Sequence, residues 1–319
     1  MRLRRTTTAA AALAVLAAAQ LAGAPTGVHA AAAVERAPGP QLRLLEYNMC
    51  GNVCWKPGDP ENSFGADTRG EIATRVARIA HAADHHAADL ILLNETCYSQ
   101  YRGLRAELRK RGYHARFSAT TTGGQCDRYD DAHGQRFGNA LFAKGPLHGA
   151  ARVHDLGGAN RSADGVQRRY RLLCADAELH SRTVRSCVTH LRADDPGVRD
   201  AQARKAARYA RRFAQHGPTV LAGDLNVPPR SRQAGYFYGH SGGTGVFREA
   251  DENDRAYRSG WAPGAHRGRT GEPTFRETKK IDYIFFGERH FRQVRGDAVA
   301  RYPAPVSDHS LYRATARLY

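Results

Sequence analysis

Short apolar runs alternate along the chain with amphipathic segments and with polar, glycine-rich ones. Apolar runs of about four to eight residues between turn-forming residues are typical of strands. Apolar side chains at Ile72, Val76, Ile79 and Ala83 recur every three or four positions, which predicts an amphipathic helix over residues 69–86. The predicted strands cover residues 42–47, 89–93, 138–143, 170–179, 184–191, 219–222, 281–286 and 311–318.

The order of these elements indicates a single mixed domain. Residues 201–215 predict a second helix, which is rich in arginine, and residues 170–179 and 184–191 predict a hairpin. The weakest structural signals lie in 123–136 and 228–278, which we expect to be loops. Strands and helices alternate with no break in composition and no internal repeat, which favours one α/β or α+β domain.

The first 30 residues have the features of an export signal. They open with three arginines, continue through an apolar run over residues 9–24, and end at the small-x-small site Val28-His29-Ala30. No other apolar stretch approaches the roughly 18–20 residues that span a bilayer. We therefore expect cleavage near Ala30, a linker over residues 31–41, and a secreted, soluble domain over residues 42–319.

Six cysteines fit that compartment, because an even count in an exported chain usually indicates disulfides. Six cysteines allow about 15 pairings. A zinc site is disfavoured, because the closely spaced first two cysteines have no matching second pair at metal-ligand spacing. We expect sequential pairing: Cys50 with Cys54, Cys97 with Cys126, and Cys174 with Cys187.

The 319-residue chain is strongly basic. Its 48 Lys and Arg residues against 31 Asp and Glu give a formal charge of +17, and only six of the basic residues are lysines. Removal of the export signal, with its three arginines and no acidic residue, lowers the charge to +14. Arginine suits phosphate recognition, but a GC-rich coding sequence also enriches arginine everywhere, so charge alone does not identify a partner.

Polar side chains follow or begin six of the predicted strands. Any one of them has an ordinary explanation, such as an Asx turn, a core histidine or a polar loop. Together they supply the carboxylate, amide and imidazole groups that a hydrated Mg²⁺ and a phosphate require. Because strand ends can converge on one rim, we expect a common site formed by Asn48, Glu95, His190, Asp224 with Asn226, Asp282, and Asp308 with His309.

The predicted site residues lie in an ordered set of motifs: Leu45-Glu-Tyr-Asn48, Leu90-Ile-Leu-Leu-Asn-Glu95, Phe137-Gly-Asn-Ala-Leu141, Val188-Thr-His-Leu191, Leu221-Ala-Gly-Asp-Leu-Asn226, Ile281-Asp-Tyr283 and Ser307-Asp-His309. The order and spacing of these motifs resemble the endonuclease/exonuclease/phosphatase superfamily over residues 42–318. The resemblance implies an α+β fold, a four-layer sandwich of two mixed β-sheets with helices outside, and a metal-dependent hydrolase of phosphoric esters.

The same resemblance implies a metal site. Glu95 would be the principal ligand, with Asn48 beside it and Asp308 close enough to hold the ion or its waters. Mg²⁺ is the expected cofactor, with Mn²⁺ or Ca²⁺ as alternatives. Such an ion neutralises phosphate charge and polarises the phosphoryl oxygens.

Five further residues receive catalytic roles from the resemblance. Asp224 would orient or deprotonate the attacking water, and Asn226 would donate to a phosphate oxygen. Asp282 would pair with His309, fixing its tautomer and favouring its charged form. His190 would lie opposite, touching a non-bridging oxygen or protonating the leaving group; which histidine is the acid and which the base stays open.

Two positions depart from the family pattern, and neither is an expected ligand. Asn94 stands where many members have Gln before the metal-binding Glu, and Ser310-Leu311 replaces the usual Arg/Tyr-Pro after His309. Groups behind the ligands tune their geometry. These departures therefore bear on alignment and substrate detail and leave the expected chemistry intact.

The substrate is expected to be nucleic acid, because the mature charge and several basic clusters favour a polyanion. These clusters are 168–171, 204–212, which is equally well explained as a solvated helix face, and 266–269. The alternatives are a sphingomyelinase-type phospholipid phosphodiesterase, for which no apolar aromatic hairpin is evident, and a phosphomonoesterase. An inositol phosphatase would carry Cys-Asp-Arg where this chain has Lys280-Ile281-Asp282, and the complete ligand set disfavours an inactive binding protein. We expect a monomer.

Overall fold

Two mixed β-sheets form the body of the protein. The computed structural model describes residues 39–51, 53–56, 59–65, 69–122, 126, 136–161, 167–252, 269–299 and 307–319, with backbone alone for 53–65, 69–71 and 122. All of them belong to one unit, Pro38–Tyr319. The expected export signal over residues 1–30 lies outside the described residues.

The first sheet has eight strands. Its central strand β1 runs parallel to β4 and antiparallel to β16. Across the sheet the strands follow in the order β15 (Phe291–Val299), β16 (Leu311–Leu318), β1 (Gln41–Asn48), β4 (Leu90–Cys97), β6 (Arg136–Ala143), β5 (His114–Thr122), β9 (Gln167–Arg168) and β8 (Asn160–Arg161).

The second sheet has six strands and is also mixed, because β11 pairs parallel with β12 whereas its other pairs are antiparallel. Its order is β13 (Phe247–Glu249), β14 (Asp282–Gly287), β12 (Thr219–Asp224), β11 (Arg182–Thr189), β10 (Arg171–Leu179) and β7 (Leu147–Asp155). A separate two-stranded ribbon consists of β2 (Val53–Lys56) and β3 (Asp59–Gly65).

Helices cover the outer faces of both sheets. Strand β1 shows the layering by its alternation: Leu44 belongs to the apolar core between the sheets, whereas Leu45 belongs to the cluster beneath two helices. These helices are α1 (Arg69–His85) and α2 (Tyr98–Arg109), and α3 (Pro196–His216) covers the second sheet. The expected α+β four-layer sandwich is confirmed.

The predicted elements are present, with limited differences. The helix predicted over 201–215 begins earlier, because Pro196 occupies its first turn and Asp195 caps it by accepting hydrogen bonds from the backbone of Gly197 and Val198. Part of the expected loop 228–278 is ordered as a short helix, α4 (Arg232–Gly235), and as strand β13. Helix α2 and strands β2, β3, β5, β7, β8, β9 and β15 were not predicted.

Disulfides tie the sandwich together. Cys97 pairs with Cys126, and Cys174 pairs with Cys187 directly across the β10–β11 ladder, both as expected. Cys50 is also disulfide-bonded, whereas the side chain of Cys54 lies outside the described residues. These bonds are compatible with an oxidising compartment. Over the described ranges, every helix is too short or too polar to cross a bilayer.

Candidate active site

One end of the sandwich gathers strand ends from both sheets. Strand β1 ends at Asn48, β12 ends at Asp224, and β14 begins at Asp282, which lies opposite Asp224 in the antiparallel register. His190 directly follows β11, and Asp308 with His309 precedes β16. The eight residues expected at the site line one groove or contact residues that do.

Glu95 reaches this end through a bulge. It does not follow its strand, as the sequence suggested, but lies within β4, where the pairing with β6 slips between Leu93 and Thr96. Glu95 has a left-handed backbone with φ of 50°. A bulge of this kind redirects a side chain. The backbone carbonyl of Glu95 accepts a hydrogen bond from the Gly51 N–H at 2.7 Å, which fixes this part of the strand.

Asn48 joins the carboxylates of both sheets. Its Nδ2 donates to Glu95 Oε1 at 3.0 Å and to Asp224 Oδ2 at 3.2 Å. Its Oδ1 accepts from the backbone N–H of Cys50 at 3.0 Å. Asn48 thus holds two acidic groups at a fixed separation with its amide fully buried.

His309 lies between two buried carboxylates. Its Nδ1 is 2.8 Å from Asp282 Oδ2, and its Nε2 is 3.8 Å from Asp224 Oδ2. Burial alone lowers the pKa of His309, but the charge and hydrogen bond of Asp282 and the charge of Asp224 outweigh it and raise the pKa to about 10. Burial, reinforced by the charge of Asp282, raises the pKa of Asp224 to about 6.

His190 approaches the same Asp224 oxygen as His309 does. Its Nδ1 is 3.7 Å from Glu95 Oε1 and its Nε2 is 3.6 Å from Asp224 Oδ2. Asn226 Nδ2 approaches His190 Nε2 at 3.0 Å and donates to the carbonyl of Leu191 at 2.9 Å. The Asn226 side chain therefore fixes the imidazole ring against the loop that follows β11.

Asp308 is held by a hairpin that the sequence did not single out. The Arg276 N–H donates to the Asp308 carbonyl at 2.9 Å, and the Arg276 guanidinium lies 3.4 Å from Asp308 Oδ2. Phe275 packs its ring against His309, with centroids 4.8 Å apart. Arg276 has the only described guanidinium paired with an expected metal ligand, and no spacing rule pointed to it.

Asn94, one of the two departures from the family pattern, bridges the sheets behind the site. Its Oδ1 accepts from the backbone N–H of Asp224 at 2.9 Å, and its Nδ2 donates to Asn139 Oδ1 at 2.9 Å and to the Thr189 carbonyl at 3.1 Å. A Cβ at Gly223 would lie 1.9 Å from that carbonyl, so glycine is required for this close approach. The Asn94 side chain, which is shorter than the Gln of many family members, thus contacts Asp224 directly and aligns it.

A groove of about 1230 Å³ opens above these residues. Arg168, Arg169 and Tyr170 of the first basic cluster line it, together with Lys279. The 204–212 cluster lies on α3 and does not line the groove. Of the third cluster, residues 266–268 lie outside the described residues, and Arg269 instead donates to the carbonyls of Ser231 and Arg230.

The donor set suits a hard cation. Within the described ranges, the acidic and histidine ligand atoms that lie within 4.8 Å of one another belong to Asp224, Asp282 and His309. This group differs from the expected Asn48, Glu95 and Asp308, and its members already contact one another. Burial, together with the nearby charge of Glu95, raises the pKa of Asp308. Carboxylates crowded in this way would be stabilised by a divalent ion.

Comparison with known proteins identifies relatives of the fold. A model described as the Endonuclease/Exonuclease/phosphatase family matches residues 45–309, whereas no curated protein matches the chain. The catalytic domain of human Nocturnin with a bound sulfate has a TM-score of 0.61 at 17% identity, covering 88% of this chain and 96% of that one.

Two bacterial structures are similarly close. An endonuclease/exonuclease/phosphatase from Bacteroides vulgatus has a TM-score of 0.60 at 18% identity, covering 88% of this chain and 100% of that one. A mannosyl-6-phosphatase from Bacteroides thetaiotaomicron has a TM-score of 0.59 at 17% identity, covering 87% and 99%. At these identities the likeness supports the fold and leaves the substrate open.

Proposed function

Because the chain belongs to the endonuclease/exonuclease/phosphatase family, whose hydrolases act on phosphoric esters, we propose that it is a secreted, divalent-metal-dependent endonuclease. It would act as a monomer and cleave phosphodiester bonds of nucleic acid. The observation that carries this proposal is the convergence of His309, Asp282 and Asp224 beneath a groove whose wall holds Arg168 and Arg169.

The residues present fit a divalent cation. Asp282 Oδ1 is buried without a hydrogen-bond partner, and burial raises the pKa values of Asp224 and Asp308, with the charges of Asp282 on the first and of Glu95 on the second adding to the effect. Glu95 and Asp308 would hold the ion, with Asn48 beside them; its amide now directs Nδ2 at Glu95 and Oδ1 at the Cys50 N–H, so it would turn over to offer its oxygen to the ion. Mg²⁺ would neutralise phosphate charge and stabilise the leaving oxygen, and Mn²⁺ or Ca²⁺ are the alternatives.

The other side chains of the site would have separate roles in catalysis. Asp224, with a pKa of about 6, would accept a proton from the attacking water near neutral pH. Asp282 keeps His309 charged, so that Nε2 would donate a hydrogen bond to a non-bridging phosphate oxygen. Asn226 and His190 would also contact the phosphate, since they lie together beside Asp224.

We further propose that the protein is exported to an oxidising compartment. The two described disulfides would persist outside the cytoplasm, where the expected cleavage near Ala30 would release the domain. Mass spectrometry of the protein recovered from culture medium would test this directly. A mature N-terminus at residue 31 supports export, and recovery of the intact chain from the cytoplasm alone would contradict it.

A substrate panel tests the function. Purified protein is assayed on plasmid DNA, RNA, sphingomyelin and a phosphomonoester, each with Mg²⁺ and with EDTA. We expect cleavage of nucleic acid that EDTA abolishes. Asp224→Asn and His309→Gln serve as inactive controls for contaminating nuclease. Turnover of sphingomyelin or the phosphomonoester without nucleic-acid cleavage would replace this proposal with the corresponding alternative.

A further inference from the structure

Two aromatic rings in the groove lack the ring contacts that aromatic side chains make elsewhere in the fold. Phe137 and Tyr170 are partly exposed and line the groove. Tyr98, Phe117 and Phe142, by contrast, contact other rings. Among the partly exposed aromatic residues that the structure describes, Phe137 and Tyr170 alone have neither a ring partner nor a cation over the ring. Tyr170 packs in part against the apolar cluster beneath α3, and the exposed part of each ring lines the groove.

The sheet register places a phosphate-binding group beside these rings. Phe137 of β6 pairs with Thr121 of β5, and Thr121 pairs with Arg168 of β9. Neighbouring strands lie about 4.8 Å apart, so the backbones of Phe137 and Arg168 stand about 10 Å apart, on either side of Thr121. Tyr170 follows Arg168 by two residues, and the backbone of Arg169 is fixed by a 2.7 Å hydrogen bond to Thr120. Aromatic and guanidinium groups thus alternate along one wall.

The reacting groups lie at the floor of the groove. The side chains of His309 and Asp224 are only 6% and 3% exposed. A scissile phosphate must therefore enter deeply, and the groove volume of about 1230 Å³ exceeds the roughly 300–1,000 Å³ that small ligands occupy. An extended and flexible strand meets both requirements.

We propose that Phe137 and Tyr170 are stacking platforms for unpaired bases, so that the substrate of this site is single-stranded nucleic acid. The proposal rests on the proposed function. Arg168 and Arg169 hold the backbone while the rings take the bases. In a duplex the base faces are already stacked and only edges and phosphates are accessible, whereas unpaired bases stack on aromatic side chains.

The test compares three substrates of one length at one ionic strength with Mg²⁺: a single-stranded oligonucleotide, its duplex, and an abasic strand with the same phosphates. We expect kcat/KM for the single strand to exceed both others by about 10-fold or more, because each stacked base contributes about one to two powers of ten in affinity. Equal cleavage of the abasic strand, or a preference for the duplex, overturns the inference while leaving the proposed function standing. Absence of cleavage on every oligonucleotide overturns both.

Substitutions of the two rings test whether they cause the preference for the single strand. Phe137→Leu and Tyr170→Leu keep apolar volume and remove the π-face, and each should raise KM about 5-fold or more for the single strand without changing cleavage of the abasic strand. Tyr170→Phe should restore the wild-type KM. Tyr319→Leu, which removes a 57% exposed ring outside the groove, is the matched control. Equal KM changes on the abasic strand would show a structural effect and overturn the assignment of these rings to base stacking.

Discussion

His309 Nδ1 lies 2.8 Å from Asp282 Oδ2, and the two side chains are almost completely withdrawn from solvent. Asp282→Asn keeps the shape and removes the charge that raises the pKa of His309. We expect kcat to fall about 100-fold or more, which is the usual contribution of a positioned acid or base group, with KM little changed. Steady-state kinetics on nucleic acid measures this effect.

Asp297→Asn is the control for that prediction, because Asp297 pairs with Arg313 on the far side of the first sheet. It should leave kcat unchanged. An Asp282→Asn variant that folds normally and retains the wild-type rate would remove the His309–Asp282 pair from the mechanism.

Removal of the Glu95 charge should weaken metal binding. Glu95→Gln preserves an oxygen that can accept from Asn48 but lowers the negative charge expected to attract the ion. We expect the Mg²⁺ concentration for half-maximal activity to rise at least about 10-fold. Calorimetric titration with Mg²⁺ gives a second readout that does not depend on turnover, and unaltered binding would contradict the ligand assignment.

Asn94 should couple stability to activity, since it accepts from the Asp224 backbone and donates to the Thr189 carbonyl in the second sheet and to Asn139 on the neighbouring strand. Asn94→Ala leaves buried polar groups without partners, which costs about 2–4 kcal/mol. Denaturant unfolding measures this loss. Asn139→Ala is the matched comparison, because it removes a partner of Asn94 but no contact to Asp224; it should lower stability with a smaller loss of kcat.

The Cys97–Cys126 bond should matter more than the hairpin disulfide. It closes a separation of 29 residues, whereas Cys174–Cys187 closes 13, and Cys126 lines the groove. The double Cys97→Ser/Cys126→Ser variant should lose about 3–4 kcal/mol of unfolding free energy and part of its substrate affinity. The Cys174→Ser/Cys187→Ser variant should lose stability while keeping KM, and the reverse pattern would contradict this prediction.

Glu252 predicts a pH effect on stability. Burial, with the charge of Glu249, raises its pKa to about 7 despite the opposing charge of His240, which lies 2.7 Å from Glu252 Oε2. The folded state therefore binds this proton more tightly than the unfolded state, whose pKa is near 4.5. Its contribution is fully present below about pH 4.5 and is lost as pH rises through about 7.

Glu252→Gln should remove that dependence. The unfolding free energy of the variant minus that of the wild type should increase by about 2–3 kcal/mol between pH 4.5 and pH 8. Urea unfolding at both pH values measures the difference. A difference that stays constant across this range would show that Glu252 titrates normally in the folded protein.

The sequence predicted the main strands and their polar ends because alternation and motif order are local properties. Helix α2 was missed although its buried residues Tyr101, Leu104 and Leu108 recur every three or four positions, because only two of the three are aliphatic. Strand β7 escaped because most of its residues are partly or fully exposed at the edge of the second sheet. Strand β7 therefore lacks the apolar alternation on which strand prediction depends.

The site was predictable as a set of residues and not as a set of contacts. Asp224 and Asp282 became neighbours through an antiparallel register that no motif encodes. Arg276 reached Asp308 from a turn 32 residues away in sequence, in which Arg276 and Glu277 both have positive φ. Such relations depend on the packing of two sheets, which local patterns do not contain.

The irregular pairing at Glu95 has a consequence for anyone who would reuse this sandwich as a scaffold. By strict alternation Asn94 faces the space between the sheets and Glu95 would face the helices, as Leu93 does. Redesigning β4 as a regular strand would thus restore continuous pairing with β6 but would turn the Glu95 side chain away from the groove. Any design based on this sheet must therefore keep the irregular pairing at Glu95.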